Sequence, residues 1–514
     1  MTTRSRILLT LAALLVLAAA ALSQSGEKPV NWKGLPEPFH TPSANNRPQV
    51  VAQPEDAGLD VPAGFKVEEY MAGFDNRPRF MLLGPSNEIL LTDSGERRAA
   101  TGVVYVLHDG SKKKILENLD RPYGLAFHED WLYVAETTSV KRYQYDEKAM
   151  FHTPSANNRP QVVAQPEDAG LDVPAGFKVE EYMAGFDNRP RFMLLGPSNE
   201  ILLTDSGERR AATGVVYVLH DGSKKKILEN LDRPYGLAFH EDWLYVAETT
   251  SVKRYQYDEK AMDVSRPGEE IIPMHDYGTG HWTRTLLFDR GHKKLYVTIG
   301  SRSNIDLNEP PARAALNRYN PDGSGHEIVA TGLRNIIGLR WRPGSDDLWA
   351  AVQERDGLGD DLVSDYLVQI KEGGFYGWPY AYSGPYEEPR HKDVAPDMVK
   401  KSLYPDVLLG AHVAVLDILF YTGKQFPDRY QGGLFLAFHG SWNRSKRVGY
   451  KIAYIPFKDG KPTSGPQDFL TGWSISPDDR RVWGRPVGLL QMPDGSMLVS
   501  EDGGRKLWRV SYGG

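Results

Sequence analysis

The sequence of 514 residues contains no cysteine. Disulfides are therefore excluded, and so is a covalently attached c-type haem, which requires a Cys-x-x-Cys-His motif. If this chain carries out redox chemistry, its electrons must pass to a separate acceptor. The sequence also lacks an excess of charge of one sign, because 61 Lys and Arg face 67 Asp and Glu, a formal net charge of −6. This balance gives no indication of a nucleic-acid or membrane-surface partner.

Long hydrophobic runs are missing except at the N-terminus. There, a positively charged start is followed by an apolar stretch from Ile7 to Leu22 and by small residues around Ser23. This layout is typical of a secretory signal peptide. It predicts a cleaved signal over residues 1–23, a linker over residues 24–38, and a periplasmic or secreted protein without an integral membrane span. An uncleaved anchor is the alternative, although the apolar stretch is short for a membrane span.

Residues 39–150 recur without a single change as residues 151–262. Structural repeats diverge in sequence, so full identity indicates a recent tandem duplication or an assembly error, and the sequence leaves both open. The second copy continues into Asp263 as a single-copy ancestor would. We therefore expect residues 151–514 to form the working protein.

The composition includes 50 Gly, 35 Pro and 26 Tyr, which indicates a globular protein with many short strands and turns. One theme recurs: an apolar strand, a tight polar turn, and a second apolar strand that ends in a small or acidic residue. The turns carry the Gly, Pro, Asp and Asn residues that hairpin geometry requires. Six such hairpins begin at Arg191, Tyr235, Arg284, Ile337, Leu416 and Val487.

A hairpin of this kind cannot bury its apolar face alone, and a radial array of small sheets solves that problem. The six hairpins therefore predict an all-β fold, a six-bladed β-propeller, with an extra duplicated two-hairpin segment near the N-terminus. A β-sandwich is the alternative, but the long connections between similar hairpins fit it poorly.

Unusual polar clusters stand at the ends of these hairpins, where propellers place binding groups. Each cluster alone has a structural explanation, since a single His is more often a hydrogen-bonded structural residue and an acidic loop is often only solvated. Their shared position at hairpin ends is what indicates a site. The clusters are "GHWTR" from Gly280, "GLRNIIGL" from Gly332, "ERDGLGDDL" from Glu354, "GGFYGWP" from Gly373 and "AFHGSWNR" from Ala437.

In this order, the five motifs resemble the soluble pyrroloquinoline quinone (PQQ)-dependent sugar dehydrogenases. They resemble most the glucose/sorbosone branch, which includes L-sorbosone dehydrogenase-like proteins. The resemblance covers residues 174–514, most of the single-copy chain. It implies a six-bladed propeller that binds PQQ and Ca²⁺ over its central channel.

The resemblance also implies residue roles. His281 becomes the general base that takes the proton of the sugar's anomeric hydroxyl, a task that suits a neutral imidazole. Hydride then passes from the sugar C1 to the quinone, and the cofactor carries out the electronic chemistry. The residues that the resemblance places on the cofactor are Arg334, Asn335, Arg444 and Arg485.

Two further assignments come from the same carry-over. Lys446 is the alternative to Arg444, because the spacing of this segment differs from the family pattern. The backbone carbonyls of Asp356 and Gly357, upstream of the Asp360-Asp361 pair, correspond to Ca²⁺ ligands, and carbonyl oxygens suit a hard cation.

Three departures from the family pattern concern the site. Gly280 stands where the glucose enzyme has an Asp beside the catalytic His, and Ser301 stands where an acidic residue orients the imidazole. Trp483 replaces a second cofactor arginine. An acidic partner sets the tautomer and basicity of a catalytic His, so its loss bears on the rate.

The sequence therefore predicts a quinoprotein that oxidises an aldose or a sugar aldehyde such as sorbosone to a lactone or an acid. Its partners are a small sugar and a separate electron acceptor. Two alternatives stay open: a non-catalytic propeller that binds carbohydrate or protein, and a Ca²⁺-dependent sugar lactone hydrolase. The hydrolase requires a set of acidic and amide metal ligands for which the sequence offers no clear candidate.

Overall fold

The computed structural model describes residues 62, 66–84, 88–95, 100–108, 111–128, 131–145, 158–167, 169–208 and 211–513. The predicted signal peptide and linker lie outside the described residues. The chain divides into two compact units, Met1–Gly73 and Phe74–Gly514. The described residues of the first unit form no helix or strand, and none of the helices in the described ranges is long and apolar enough to cross a membrane.

From Phe177 onwards the second unit forms six antiparallel sheets, numbered 1 to 6 here in chain order. The all-β prediction is thereby confirmed. Sheet 1 contains Pro190–Leu195, Ile201–Asp205, Gly214–His220 and Ser223–Leu231. Sheet 2 contains Leu237–His240, Trp243–Ala247, Ser251–Asp258, Asp263–Val264 and Glu269–Pro273. Sheet 3 contains Leu286–Phe288, Leu295–Ile299, Ala315–Tyr319 and Glu327–Thr331.

The remaining three sheets follow the same plan, in which the first three strands pair in chain order. Sheet 4 contains Ile336–Trp341, Leu348–Val352, Ser364–Gln369 and Val407–Ala411. Sheet 5 contains Val415–Phe420, Leu434–Phe438, Lys451–Ile455 and Gln467–Leu470. Sheet 6 contains Pro486–Gln491, Met497–Glu501, Lys506–Tyr512 and Phe177–Met183.

The fourth strand of sheet 6 comes from the other end of the sheet region. Phe177–Met183 precedes sheet 1 in the chain and pairs antiparallel with Lys506–Tyr512. Each sheet also contacts the following one, and sheet 6 contacts sheet 1 through their first strands. The six sheets therefore form a closed series, because backbone hydrogen bonds within sheet 6 join the first strand of this region to its last strand.

The core lies between neighbouring sheets. One cluster joins sheets 1 and 2 through residues such as Leu202, Val216 and Val246, all fully buried. Another joins sheets 4 and 5 and includes Trp349 and Phe438. Each sheet thus buries its apolar faces against its neighbours, which a single hairpin cannot do.

Short elements connect the sheets. In the part of the chain that the structure describes, the helices are the α-helix Pro396–Lys401 and the 3₁₀ helices His275–Tyr277, Pro389–His391 and Asp428–Tyr430. Three two-stranded pairs accompany them: Ala381–Tyr382 with Tyr386–Glu387, Phe457–Lys458 with Lys461–Pro462, and the parallel pair Gln161–Val162 with Arg481–Val482.

The first copy of the duplicated block forms two further sheets, Pro78–Leu83, Ile89–Asp93, Gly102–His108 and Ser111–Leu119, and Leu125–His128, Trp131–Ala135 and Val140–Gln144. The pairing of Met81 with Leu91 repeats that of Met193 with Leu203. The burial does not repeat, because Met81 is 64% exposed and Met193 2%. The hydrophobic cluster that these two sheets form consists of residues of the first copy.

Candidate functional site

Antiparallel topology brings the polar motifs to the same end of the strands. In each sheet, the start of the first strand lies beside the end of the second strand. Arg189, Thr283, Asn335, Ala414 and Arg485 come at or just before the first strands of sheets 1, 3, 4, 5 and 6. All five line one cavity of about 730 Å³.

The residues that follow the second strands line the same cavity, as the topology requires. Gln353 follows Leu348–Val352, His439 follows Leu434–Phe438, and Asp502 follows Met497–Glu501.

Positive charge dominates the cavity lining. Six arginines outnumber four acidic residues, and burial raises the pKa of Glu354 to about 8, so that this carboxyl is mostly protonated at neutral pH. Burial also raises the pKa of Asp365, to about 6, and Asp365 keeps most of its charge. The arginines are Arg159, Arg189, Arg191, Arg334, Arg485 and Arg505, and the other acidic residues are Asp356 and Asp502. The arrangement favours an anionic ligand.

His281 lines this cavity, and its hydrogen bonds define its tautomer. Nδ1 lies 2.7 Å from the carbonyl oxygen of Ser301 and 2.9 Å from its Oγ. A carbonyl can only accept, and the Ser301 hydroxyl donates its proton to the Ser303 carbonyl at 2.6 Å. Nδ1 therefore carries the hydrogen, and Nε2 is the nitrogen left to accept a proton.

The surroundings keep the imidazole neutral. Burial, together with the positive charge of Arg334, lowers the pKa of His281 to about 3. Its backbone φ of 22° lies in the left-handed region that few residues other than glycine adopt. The ring is thus a neutral proton acceptor in a strained backbone position.

Gly280 and Gly300 allow the backbone to approach closely on either side of His281. A Cβ at residue 280 would lie 1.8 Å from the carbonyl oxygen of Arg302, so no side chain fits there. A Cβ at residue 300 would lie 2.2 Å from Asn335 Oδ1 and 2.8 Å from the Cβ of His281. The close approach of the Arg302 carbonyl oxygen therefore requires glycine at residue 280.

Arg313, which the sequence reasoning missed, holds this loop in place. Its buried guanidinium donates to the carbonyls of Tyr277 at 2.6 Å and of Gly278, Gly300 and Ser301 at 2.8 Å each, and also to Gly280. Nothing in the motif pattern pointed to Arg313, because its partners are backbone carbonyls from a distant segment.

Arg334 and Asn335 lie beside His281, and both are buried. Arg334 donates from Nε to the Asn304 carbonyl at 3.1 Å, from Nη1 to the Glu354 carbonyl at 2.7 Å, and from Nη2 to Asn304 Oδ1 at 2.9 Å. Asn335 Nδ2 donates to Gln353 Oε1 at 3.2 Å, whereas its buried Oδ1 has no hydrogen-bond partner. An unpaired buried polar atom is costly unless a ligand satisfies it.

Arg485 lies in the same cavity, where it donates to the carbonyls of His439 at 3.2 Å and Gly440 at 2.9 Å. Nearby, Asp502 accepts from Arg191 at 2.8 Å and lies 3.0 Å from His439 Nε2. Burial would raise the pKa of Asp502, but Arg191 and His439 hold it far below its usual range. Burial, together with Arg485, lowers the pKa of His439 to about 4.

Asp356 also lines the cavity, but both its carboxylate and its carbonyl already have partners. The carbonyl accepts from Asn304 at 2.8 Å, and the carboxylate accepts from Asn443 at 2.5 Å and lies 3.6 Å from His412. Gly357 is not among the lining residues. Within the described ranges, no three His, Asp or Glu side chains group as a metal site.

Three other predicted positions lie outside the cavity lining. Arg444 pairs with Asp361 at 2.8 Å and donates to the carbonyl of Asp360. Lys446 is 70% exposed and lies 3.8 Å from Asp478. Trp483 is buried in the core against Trp473 and Trp508. The structure therefore brings His281, Arg334, Asn335, Arg485 and Asp356 together and leaves Arg444 and Gly357 out.

Several residues of the cavity lining were not predicted from the sequence. Arg189, Arg191, His412, His439 and Asp502 line the cavity without having been predicted. One signal was present: Arg189-Pro190 and Arg485-Pro486 are the same dipeptide at the start of a first strand. That repetition could have identified Arg189.

Comparisons with known proteins agree with this architecture. The TrAA12-like family model matches residues 171–372 and 392–512, more than half of the chain. An uncharacterized protein of Borreliella burgdorferi is 30% identical over 365 residues, which are 68% of this chain and 93% of that protein. A PQQ-dependent pyranose dehydrogenase of Coprinopsis cinerea is 23% identical over 400 residues, 65% of this chain and 53% of that enzyme.

A solved structure shows the same fold. The iodide structure of a Trichoderma reesei carbohydrate-active enzyme of family AA12 is 22% identical, with a TM-score of 0.57, over 68% of this chain and 99% of that one. The resemblance to soluble PQQ-dependent sugar dehydrogenases is confirmed at the level of the family, and the sorbosone branch stays a prediction. The chain belongs to the TrAA12-like family.

Proposed function

We propose that the protein is a PQQ-dependent sugar dehydrogenase that oxidises an aldose or a sugar aldehyde to a lactone or an acid. The six sheets are the blades of a six-bladed propeller, and the cavity is the cofactor and sugar site at one end of it. One observation carries the proposal: a neutral His281 with an unprotonated Nε2 shares a cavity with Arg334, Asn335 and Arg485.

The donor set fits a quinone that carries three carboxylates. A guanidinium has five N–H donors. Arg334 uses three of them on the protein and Arg485 two, which fixes both groups and leaves donors for carboxylates. Asn335 Oδ1, without a partner, adds an acceptor beside His281.

When bound, PQQ supplies the acceptor for the hydride and electron pair that leave the sugar C1. The residues of the chain supply the proton transfer. Nε2 of His281 takes the proton from the C1 hydroxyl as the C1–H bond breaks, and the carbonyl of Ser301 stabilises the resulting imidazolium through Nδ1–H. Loss of one hydride and one proton converts the hemiacetal to a lactone.

The test adds PQQ and Ca²⁺ to the purified chain and follows dye reduction with a panel of aldoses and sorbosone. His281→Ala should lower turnover by about 100-fold or more and leave PQQ binding intact. The matched control is His220→Ala, because His220 is a surface residue outside the cavity. Unchanged turnover in His281→Ala would remove this residue from the mechanism.

The same assay distinguishes the alternatives. Spectral binding of PQQ without reduction of dye by any sugar would support a non-catalytic binding propeller, and absence of PQQ binding would overturn the cofactor assignment. Arg334→Ala and Arg485→Ala should each weaken PQQ binding, whereas Arg444→Ala should weaken it less, because Arg444 pairs with Asp361.

Calcium is a separate part of the proposal. The resemblance supports the carbonyls of Asp356 and Gly357 as Ca²⁺ ligands. The hydrogen bonds that Asp356 already accepts argue against a preformed metal site. No step of the proton transfer depends on the metal. Removal of activity by EDTA and its return with Ca²⁺ would support a resident ion. Full activity in EDTA would exclude it.

We further propose that residues 151–514 are the working unit and that the enzyme acts in the periplasm or outside the cell with a separate electron acceptor. Deleting either copy of the block yields the same single-copy sequence, because the copies are identical. That protein should retain the specific activity of the full chain. Fusion of residues 1–23 to a reporter active only after export tests the signal.

A further inference from the structure

A short segment ahead of the sheets contributes to the lining of the cavity. This segment, residues 158–163, is named the strap, and it runs beside residues 480–483 through the parallel pairing of Gln161–Val162 with Arg481–Val482. Arg159, Pro160 and Val162 of the strap line the cavity, and Val162 is 46% exposed. The strap is therefore a part of the lining that is accessible to solvent.

The strap is fixed at both ends. Gln161 N donates to the Arg480 carbonyl at 2.7 Å and Val163 N to the Val482 carbonyl at 2.9 Å. At the other end, Asn158 Nδ2 donates to the Arg444 carbonyl at 3.1 Å, and the Asn158 carbonyl accepts from Arg447 at 2.5 Å. The side chains of the strap are therefore presented to the cavity from a defined backbone.

Trp442 also lines the cavity and is 38% exposed, although Ser441 and Asn443 on either side are buried. Ser441 N donates to the Val448 carbonyl at 2.9 Å, and Asn443 Nδ2 donates to Asp356 at 2.5 Å. The indole is thus held in the cavity lining by two anchored neighbours. An indole fixed and exposed at a cavity is a contact surface for a ligand.

The guanidinium of Arg159 lies over the Trp442 ring, 5.6 Å from its centre. The pair combines an aromatic ring with the N–H donors of a guanidinium that lies over it. A pyranose ring matches this combination, because its C–H face carries partial positive charge toward the electron-rich ring and its hydroxyls accept hydrogen bonds.

We propose that Trp442 and Arg159 form a subsite for a second sugar ring, next to the ring that is oxidised at His281. The proposal rests on the proposed function and names its substrate class: the reducing end of an oligosaccharide, bound better than the corresponding monosaccharide. Asn443 connects the two positions, since it binds Asp356, whose carboxylate lies 3.8 Å from Arg334.

The test measures binding of sugars that cannot be oxidised, without added PQQ. Methyl glucoside is compared with methyl cellobioside, maltoside and xylobioside by calorimetry. At least one disaccharide should bind the full chain about tenfold more tightly than the monosaccharide. Trp442→Ala should abolish that advantage and leave the monosaccharide affinity unchanged, and Trp442→Phe should retain part of it.

The duplication supplies a matched control. Arg47 has the same sequence neighbours as Arg159 but lies outside the described residues. Arg159→Ala should weaken disaccharide binding about threefold, on the scale of one side-chain hydrogen bond, and Arg47→Ala should not. If Trp442→Ala fails to fold, this pair of variants still tests the disaccharide subsite.

Two outcomes overturn the subsite: equal affinity of the full chain for all the glycosides, or an equal loss of mono- and disaccharide binding in Trp442→Ala. Neither result depends on turnover. If the chain binds the disaccharide through Trp442 but reduces no dye, the subsite proposal stands and the dehydrogenase proposal is rejected. If the chain reduces dye but shows no preference for disaccharides, the dehydrogenase proposal stands and the subsite proposal is rejected.

Discussion

Ser301 is the residue whose oxygens contact Nδ1 of the His281 imidazole. It acts through two acceptors, its carbonyl and its hydroxyl oxygen, both within 3 Å of His281 Nδ1. The carbonyl can select the tautomer but adds less basicity than a carboxylate does. At the scale of single residues, the tautomer of His281 is therefore set by a neutral partner.

Ser301→Ala should therefore have a small effect. The carbonyl still accepts from Nδ1, so we expect kcat to fall about threefold with KM unchanged, the scale of one neutral hydrogen bond. Steady-state kinetics over the sugar panel check this. A loss as large as that of His281→Ala would mean that the hydroxyl, not the carbonyl, sets the tautomer.

Glu501 offers a second prediction, on stability against pH. This fully buried carboxyl has one oxygen without a partner, and burial raises its pKa from 4.5 to about 7. Because the pKa is higher in the folded state, this carboxyl makes its full contribution to the free energy of unfolding below pH 4.5. That contribution is lost as the pH rises toward 7.

Glu501→Gln removes this titration while keeping the shape of the side chain. The variant and the parent should be similarly stable near pH 4.5, and the variant should gain about 2–3 kcal/mol relative to the parent by pH 7.5. Urea unfolding at several pH values measures the difference. A difference that does not change with pH would contradict the prediction.

At the scale of elements, the loop before sheet 3 is shaped by its close approach to residues 300–302. Gly280→Ala would place a Cβ 1.8 Å from the Arg302 carbonyl oxygen, so the loop that carries His281 must shift. We expect a destabilisation of about 1–3 kcal/mol, as for other overpacked sites, and a kcat at least about tenfold lower, because proton transfer depends on position.

Gly291→Ala is the matched control in the neighbouring turn, where the nearest atom to a new Cβ is 3.7 Å away. It should change stability by less than about 0.5 kcal/mol and leave the kinetics unaltered. Thermal unfolding and dye reduction of both variants test the pair. Equal behaviour of the two variants would show that the close approach at Gly280 has no consequence.

The elements also show how far the sequence reaches. All six predicted hairpins coincide with the first two strands of a sheet, because turn residues and apolar alternation are local signals. The pairing of Phe177–Met183 with Lys506–Tyr512 was not predicted, since its partners lie more than 300 residues apart. Asp502 was missed for the same reason, because its partner Arg191 lies about 300 residues earlier in the chain.

At the scale of the whole molecule, the two copies allow a direct comparison of one sequence in two environments. Met193 packs against Leu203, Tyr217, Leu498 and Leu507, whereas Met81 is 64% exposed. Met193→Ala should cost about 2–5 kcal/mol and Met81→Ala less than about 0.5 kcal/mol. Guanidinium unfolding measures both. Equal costs would mean that the first copy can take the place of the second.

The sequence by itself determined the hairpins, their registers and the motifs at their ends, because these depend on neighbours a few residues away. The first hairpin of each block accordingly has the same pairing, in which Met81 lies opposite Leu91 and Met193 opposite Leu203. Only the tertiary structure decided which copy is enclosed and which side chains meet at the cavity. Burial requires contact with sheets that are remote in the chain, as when Tyr235 donates to the Leu416 carbonyl at 3.0 Å while Tyr123 stays 59% exposed.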